Sequence, residues 1–429
     1  MSRTRRFRPT VTVRADRSGL ALILISTAVS GVVGYGIQIA VPAFVSPVDY
    51  VTFSVAWSAV FLIGTALSGV QQEVSRSVRP VDGPGTSWTL GSFSMIILLI
   101  VVAATGIAAL LGSTALFGEA AIGGGIAVVA GSVGYLLVVL LSGVVYGTRR
   151  WFVAALITVV DAVVRGAAVA TGLVLGVSID ILVFLVVIPF FVTFIVVGMF
   201  AKLTARGGYA VDAGTRVLLR NTGKTVGAAI AMGIMITGLP LLLRASTQDG
   251  GVTELAATIF AITLTRAPIV IPVIALQSYI IARARDREGV FFSVRVRHVA
   301  ALSVALLVVG AVAGLAGPWA VSAISGGSLA ITPILMAIIA DSAVLVAAMA
   351  GLGSLLVASS RHDWYLGGWI VAAVLTVALL FSPVAFDARL EVALLLAPAA
   401  GLVVHVIGLQ RVYARVRAAQ LTDARGDDD

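Results

Sequence analysis

Charged side chains inside long apolar runs are the part of this sequence with the clearest chemical content. Arg266 stands near the middle of one such run and is followed by two prolines, Pro268 and Pro272. An arginine at the centre of a membrane costs about 3 kcal/mol by insertion scales, so its presence there indicates function. The prolines remove backbone N–H donors at the same depth, which is tolerated where the freed carbonyls line a cavity or meet other helices. A charged and interrupted helix predicts a transporter substrate site, with Pro268 and Pro272 at its bend.

Two more places in the apolar runs carry charge. Asp161 and Arg165 are four residues apart, so they share one face of a helix and can pair with each other. The pair either neutralises itself and helps its helix to pack, or lines a cavity and exchanges partners during transport. Asp341 has no partner nearby in sequence. It either pairs with Arg266, binds a proton, or makes a hydrogen bond without a role in transport.

Polar residues also lie at the ends of apolar runs. Arg244 follows Pro240, and its guanidinium either extends to lipid head groups or contributes to a substrate cavity. Gln72, Glu73 and Arg76 stand together at the end of another run. These three residues predict either an interhelical network or a gate.

The composition shows which elements must position these residues. Hydrophobic residues make up 59% of the 429-residue chain and charged residues 11%, whereas soluble proteins have about 25% charged residues. The chain is therefore predicted to be an all-α polytopic membrane protein. Twelve apolar stretches are each long enough to cross about 30 Å of hydrocarbon. They lie near residues 19–43, 51–71, 89–112, 121–146, 152–176, 181–200, 225–243, 253–281, 299–323, 329–358, 365–383 and 392–410.

The basic residues alternate between the two sides of the membrane that these stretches define. Of the 29 Lys and Arg residues, 25 fall on one side, Arg244 and Arg389 fall on the other, and Arg165 and Arg266 lie inside spans. Because cytoplasmic loops collect Lys and Arg, both termini are predicted to be cytoplasmic, in a multi-pass protein of the plasma (inner) membrane. The same rule accounts for the net charge of +9 without a nucleic-acid partner.

Several kinds of chemistry are disfavoured by the residues that the chain lacks or scatters. The absence of cysteine excludes disulfides, thiol catalysis and cysteine metal sites, and the three histidines lie on different segments. The stretch Thr222–Thr225 resembles the end of a phosphate-binding loop, but the first glycine is missing and the stretch leads into a span. We therefore expect no catalytic residues, no metal and no cofactor in a protein that is not an enzyme.

A polar connection divides the predicted spans into six and six. The second and eighth spans end in similar polar sequences, as do the fourth and tenth, and the two pairs have a similar offset. This weak similarity predicts a duplicated six-helix unit whose copies have the same orientation and enclose a central cavity. The predicted parts are a basic cytoplasmic tail 1–18, an N-terminal lobe 19–200, a cytoplasmic linker 201–224, a C-terminal lobe 225–411 and a cytoplasmic tail 412–429.

The first two spans resemble those of a known family. The stretch Ser30–Tyr35, the residues Pro42, Tyr50 and Phe53, and the stretch Gly69–Arg76 resemble the start of bacterial polysaccharide flippases. These proteins are a branch of the multidrug/oligosaccharidyl-lipid/polysaccharide flippase superfamily. The resemblance implies twelve helices in two lobes that transport by alternating access. It also implies that the substrate is a sugar or oligosaccharide on a polyprenyl diphosphate, moved from the inner to the outer leaflet.

The implied substrate gives the intramembrane charges a role. A polyprenyl diphosphate is anionic, so its flippase needs cationic groups in a protected cavity, where arginine binds phosphate through charge-assisted hydrogen bonds. Related lipid II flippases carry arginines in the first span, where this chain has Tyr35 and Gln38. The expected substrate-binding residues are Arg266, Arg165, Arg244, Asp341, Asp161 and Gln38.

Two other functions fit the same architecture. A multidrug or organic-cation antiporter would favour an acidic cavity, whereas here two arginines match Asp161 and Asp341. A non-transporting membrane scaffold of a glycan-assembly complex would use the basic loop Arg283–Arg297 to bind anionic membrane lipids or glycan-assembly enzymes. Ordinary inside-positive topology also accounts for that loop.

Overall fold

The computed structural model of the chain describes residues 13–82, 88–205, 207–247, 251–286 and 296–426. Positions 1–12 of the predicted basic tail lie outside these residues. Positions 287–295 of the predicted basic loop lie outside them as well, as do the last three residues of the chain.

Helices form nearly all of the described chain. Within these ranges there are thirteen α-helices and one two-stranded antiparallel sheet. The helices are α1 (Val13–Ala40), α2 (Pro47–Ser77), α3 (Trp88–Phe117), α4 (Ala121–Gly147), α5 (Trp151–Leu175), α6 (Ile179–Leu203), α7 (Thr215–Ile236), α8 (Leu239–Ser246), α9 (Val252–Asp286), α10 (Val296–Ile324), α11 (Pro333–Ala358), α12 (His362–Leu380) and α13 (Phe386–Gly426). The strands are β1 (Val78–Val81) and β2 (Gly208–Val211), and short 3-10 turns follow α1 (Val41–Ala43) and α3 (Gly118–Ala120).

The lengths and apolar composition of these helices indicate membrane spans. Ten helical stretches in the described residues are long and apolar enough to cross a membrane, or eleven if the bent pair α7–α8 counts as one span. One of the ten, Trp88–Gly147, has 60 residues and contains α3 and α4, which pack against each other. The prediction of a nearly all-helical, multi-pass membrane protein is confirmed, while the count of twelve spans stays a prediction.

The order in which helices pack recurs along the chain. In the first half, α1 packs on α5, α2 and α3 pack on α4, α4 packs on α6, and α5 packs on α6. In the second half, α7 packs on α12, α9 and α10 pack on α11, α11 packs on α13, and α12 packs on α13. If α7 and α8 are taken together as one unit, each pair in the first half has its counterpart in the second. A duplicated six-helix unit would produce this recurrence.

The two halves meet along α2 and α7, and the contact continues into the connection between them. Thr225 Oγ1 donates to the carbonyl of Gly69 at 3.3 Å, and Asn221 Nδ2 donates to the carboxylate of Glu73 at 3.0 Å. The predicted linker 201–224 contains β2, which pairs with β1, and the first turns of α7. We call these two side-chain contacts and the β1–β2 sheet the inner seam, because they lie on the side that the charge pattern predicts to be cytoplasmic.

The predicted span 225–243 is bent. α7 begins earlier, at Thr215, and ends at Ile236, and α8 then continues at an angle of 71°. Pro240 has no N–H to bond with the carbonyl of Ile236, so a regular helix is interrupted at this point. The interruption leaves polar backbone groups inside the protein that other residues must satisfy.

Gly69→Ala is expected to weaken the inner seam. A methyl group at this position would lie 2.8 Å from Thr225 Oγ1 and 2.9 Å from the backbone nitrogen of Val226. Because a helix backbone cannot move aside as a flexible side chain can, we expect a loss of about 1–3 kcal/mol in the free energy of unfolding.

Gly36→Ala is the matched control, since a methyl group there would meet nothing within 4 Å. Both substitutions bring the same gain in helix propensity, so the difference between their Tm values isolates the effect of the contact between α2 and α7. Thermal unfolding of the purified variants in one detergent provides the measurement. Equal Tm values would contradict the close approach of α2 and α7.

Candidate functional site

A cavity with about 670 Å³ of empty space lies between the two halves of the chain. α1 and α2 line one side, and α7, α8 and α9 line the other. We call it the Arg266 pocket, because Arg266 is the charged residue among the described residues that line it. The structure thus brings together Arg266 and Gln38, two of the predicted substrate-binding residues. The side chains with polar atoms that line the pocket are Gln38, Ser54, Trp57, Ser58, Thr237, Thr263 and Arg266.

Arg266 is held by contacts within the second half of the chain. Its side chain is 6% exposed, Nη1 donates to the carbonyl of Met235 in α7, and Nη2 donates to Ser342 Oγ in α11 at 3.2 Å. Nε has no hydrogen-bond partner among the described residues. Met235 belongs to the last turn of α7, where carbonyls lack helical donors and the helix dipole favours a cation. Arg266 therefore satisfies the end of α7, and its side chain is also part of the pocket lining.

Asp341 makes no ion pair with Arg266 in the described structure. Its carboxylate faces α10, where a methyl group added to Gly310 would lie 2.9 Å from Oδ1. That oxygen is buried and has no hydrogen-bond partner among the described residues. Asp341 therefore lies at the contact between α10 and α11 and is not among the residues that line the Arg266 pocket.

The prolines of α9 do not interrupt it, because the helix is continuous from Val252 to Asp286. Pro268 has no N–H and so leaves the carbonyl of Leu264 without its helical donor. The hydroxyl of Tyr35 in α1 donates to this carbonyl at 3.0 Å. The proline thus creates an acceptor that a side chain from the other half of the chain satisfies. Among the described helices, a bend of 71° lies between α7 and α8, and the role of Pro268 and Pro272 at a bend of α9 stays a prediction.

Ser58 of α2 lies at that break. Its hydroxyl donates to the carbonyl of Thr237 at 2.5 Å and accepts from the backbone nitrogen of Leu241 at 3.4 Å. The side chain is 1% exposed. Sequence reasoning missed Ser58, since one serine in an apolar run gives no sign of which helix end it will meet.

Asp161 and Arg165 pair with each other, as their spacing allows. Arg165 Nη2 lies 2.6 Å from each carboxylate oxygen of Asp161, and Nη1 donates to the carbonyl of Val186. The guanidinium lies 4.3 Å from the ring centroid of Phe190 and 5.3 Å from that of Phe61. Arg165 is 3% exposed, so its charge is both neutralised and covered. The pair lies in the first half and is not part of the Arg266 pocket lining.

Arg244 lines a different cavity, a cleft with about 1110 Å³ of empty space on the predicted outer side. The same cleft is lined by the carboxylates of Asp49, Glu119 and Asp180. Arg244 Nε donates to the carbonyl of Leu116 at 3.3 Å. Three carboxylates beside one guanidinium give the cleft an acidic field, which repels phosphate. The structure does not bring Arg244 into the Arg266 pocket.

The predicted gate residues are joined only in part. Arg76 donates to the carboxylate of Glu73 from Nε at 3.0 Å and from Nη2 at 2.6 Å, and Glu73 is 4% exposed. Gln72 is exposed and none of these contacts involves it. Asn221 of α7 completes the network and joins the two halves. Sequence reasoning missed Asn221, because it lies in the segment interpreted as a linker.

Comparison with solved structures identifies the class to which this fold belongs. The chain superimposes on the lipid II flippase MurJ in an inward closed conformation with a TM-score of 0.64 and 13% identity, covering 94% of this chain and 93% of MurJ. An inward-facing multidrug resistance MATE transporter of the MOP superfamily gives a TM-score of 0.60 and 14% identity, covering 90% of this chain and 95% of the transporter. The fold is therefore that of the membrane transporters and flippases of this superfamily, which are not enzymes.

Sequence comparison then defines the family. No protein-family model matches the chain. The chain belongs to the family of the Mycobacterium bovis protein Mb3654, with 30% identity over 397 residues that cover 90% of each protein. The Mycobacterium tuberculosis protein Rv1510 is 29% identical over 379 residues, which cover 85% of each protein.

Tyr35→Phe is expected to lower the free energy of unfolding by about 1 kcal/mol, because it leaves the carbonyl of Leu264 without a donor. The same change should cost much less in a Pro268→Ala background, where the new N–H can bond to that carbonyl. A double-mutant cycle measured by thermal unfolding isolates this coupling. Tyr146→Phe is the control for removing a hydroxyl. If Tyr35→Phe lowered the free energy of unfolding equally in both backgrounds, Pro268 would not be the reason that the carbonyl of Leu264 needs a donor.

Asp161→Asn is expected to lower the free energy of unfolding by about 3 kcal/mol, because it leaves a buried guanidinium without its counter-charge. Adding Arg165→Met should restore most of this loss, since methionine fills the space between the aromatic rings without charge. Unfolding of the single and double variants in the same detergent measures both effects. If the double variant were no more stable than Asp161→Asn alone, the electrostatic account of this pair would be wrong.

Proposed function

We propose that this protein is a flippase that moves an anionic lipid-linked sugar or oligosaccharide from the inner to the outer leaflet. The single observation that carries the proposal is the Arg266 pocket, a cavity between the two halves that contains a buried arginine without an acidic partner among the described residues. A guanidinium in such a place binds phosphate oxygens well, because it offers several N–H donors and is weakly hydrated. The family resemblance implies a polyprenyl diphosphate as the anionic carrier.

The proposed architecture is twelve spans in two six-helix lobes, 19–200 and 225–411. The count is reached when α3 and α4 are separate spans and α7–α8 is one. The recurrent packing order of the helices supports two lobes. With twelve spans and the inside-positive charge pattern, both termini are cytoplasmic and the membrane is the plasma (inner) membrane.

Alternating access would require the contacts between the lobes to open on one side at a time. The inner seam is the set of contacts that would open towards the cytoplasm, and Glu73 and Arg76 belong to its gate. The break between α7 and α8 supports a hinge beside the pocket, since segment ends absorb changes in backbone angles. Pro268 and Pro272 would let α9 bend during the same motion.

The same pocket disfavours the antiporter alternative. An organic cation would have to enter a cavity whose charged lining residue is Arg266, and like charges repel more strongly in a low-dielectric site. The acidic residues Asp161 and Asp341 are not among the residues lining the pocket. The scaffold alternative depends on the basic loop Arg283–Arg297, of which positions 287–295 lie outside the described residues.

Arg266→Ala is expected to abolish leaflet transfer, while Arg266→Lys retains part of it, because lysine keeps the charge and loses the fork of donors. Proteoliposomes containing the full chain provide the measurement. The probe is a fluorescent hexose on a polyprenyl phosphate or diphosphate, and its exposure is read with a membrane-impermeant quencher.

The control is Arg216→Ala, which removes an exposed arginine from the start of α7. Expression and Tm of all variants are compared first, so that loss of transfer is separated from loss of fold. Full transfer by Arg266→Ala would show that the pocket arginine does not contact substrate. Absence of transfer of either probe by folded wild-type protein would refute the flippase function.

A further inference from the structure

We propose that the Arg266 pocket selects a lipid head group with a single phosphate charge, in which the sugar is joined to its polyprenyl carrier by a phosphodiester. The inference rests on the proposed flippase function and names the substrate class of the same site. It departs from the diphosphate that the family resemblance implies, and the reason is the charge that the pocket offers.

The positive charge available at the pocket comes from one residue. Arg165 is neutralised by Asp161 and enclosed by aromatic rings in the first half. Arg244 lines the acidic outer cleft. In the described part of the chain, Arg266 is therefore the guanidinium that lines the pocket and has no acidic partner.

Among the described residues, the net positive charge at the pocket is at most that of one arginine. The end of α7 contacts Arg266 through the carbonyl of Met235, and a helix C-terminus acts as about half a negative charge. A phosphodiester carries one negative charge, which this environment can match. A diphosphate carries a second, which would be buried without a counter-charge at a large desolvation cost.

The hydroxyl groups of the pocket suit a sugar better than a second phosphate. Thr237 Oγ1 donates to the carbonyl of Gly233 at 3.1 Å, and Thr263 Oγ1 donates to that of Ile259 at 3.0 Å. With their protons used on backbone carbonyls four residues earlier, both oxygens can offer a ligand only acceptor lone pairs. Acceptors pair with the O–H groups of a sugar and repel phosphate oxygens. The positive charge of Arg266 then serves the one phosphate.

The test compares three lipids in proteoliposomes that contain the full wild-type chain. The first is a fluorescent hexose on a polyprenyl phosphate, and the second is the same hexose on a polyprenyl diphosphate of equal chain length. The third is phosphatidylglycerol with the same fluorophore, which has a phosphodiester but no polyprenyl carrier. We expect the first lipid to cross at least about tenfold faster than the second, because burying an unpaired charge costs more than this ratio requires. We also expect it to cross faster than the third.

Each outcome has a distinct meaning. Transfer of the diphosphate at an equal or higher rate overturns the single-charge inference and leaves the flippase function standing. If phosphatidylglycerol crosses at the rate of the first lipid, the pocket does not distinguish a polyprenyl-linked sugar from another phosphodiester lipid. That result overturns the polyprenyl-linked sugar as the substrate class. Transfer of none of the three lipids by folded protein overturns the flippase function and this inference with it.

A second variant adds charge to the pocket. Gln38→Arg places another guanidinium in the lining, contributed by α1, and is expected to shift the rate ratio towards the diphosphate by about tenfold. Gln38→Met, of similar length, isolates the loss of the amide: it can lower both rates, but without an added charge it should not shift the ratio towards the diphosphate. An unchanged ratio in a folded Gln38→Arg protein would contradict selection by charge.

Discussion

Backbone carbonyls that lose their helical donors inside a membrane have no water to bind, and this constraint organises the region around the Arg266 pocket. Tyr35, Ser58 and Arg266 each donate to a carbonyl that a proline or a helix end has left without its donor. Two of these donors come from the first half of the chain and the acceptors lie in the second. The halves are therefore joined by hydrogen bonds at the places where their helices are interrupted, and the pocket lies among these bonds.

The position of these bonds bears on the alternating-access motion that we propose. Separation of the halves near the pocket would expose the carbonyls of Leu264 and Thr237, so another donor must replace Tyr35 and Ser58. Water entering the opened cavity, or the hydroxyl groups of a sugar, can supply it. At the inner seam the contacts are of a different kind, a carboxylate network and a short sheet close to the predicted cytoplasmic surface. Opening there exposes polar groups to water, where the cost is small.

The two intramembrane arginines show how environment decides the role of one residue type. Arg165 has a carboxylate one helical turn away and aromatic rings over its guanidinium, so it stabilises the first half. Arg266 contacts a carbonyl and a hydroxyl and remains charged at the edge of a cavity. A neutralised arginine contributes packing, whereas an arginine without a counter-charge is suited to an anionic ligand. The single charge of Arg266 is the feature on which the proposed one-phosphate head group rests.

The sequence by itself determined the class of the protein, because composition and the length of apolar runs report directly on the membrane. Spacing within one helix likewise predicted the pair of Asp161 and Arg165, since residues four apart always share a face. Contacts between helices far apart in sequence were decided only by the tertiary structure. It left Asp341 unpaired with Arg266, and it joined Tyr35 to the carbonyl that Pro268 frees. Those outcomes depend on how helices rotate and approach each other, which no local pattern in the chain encodes.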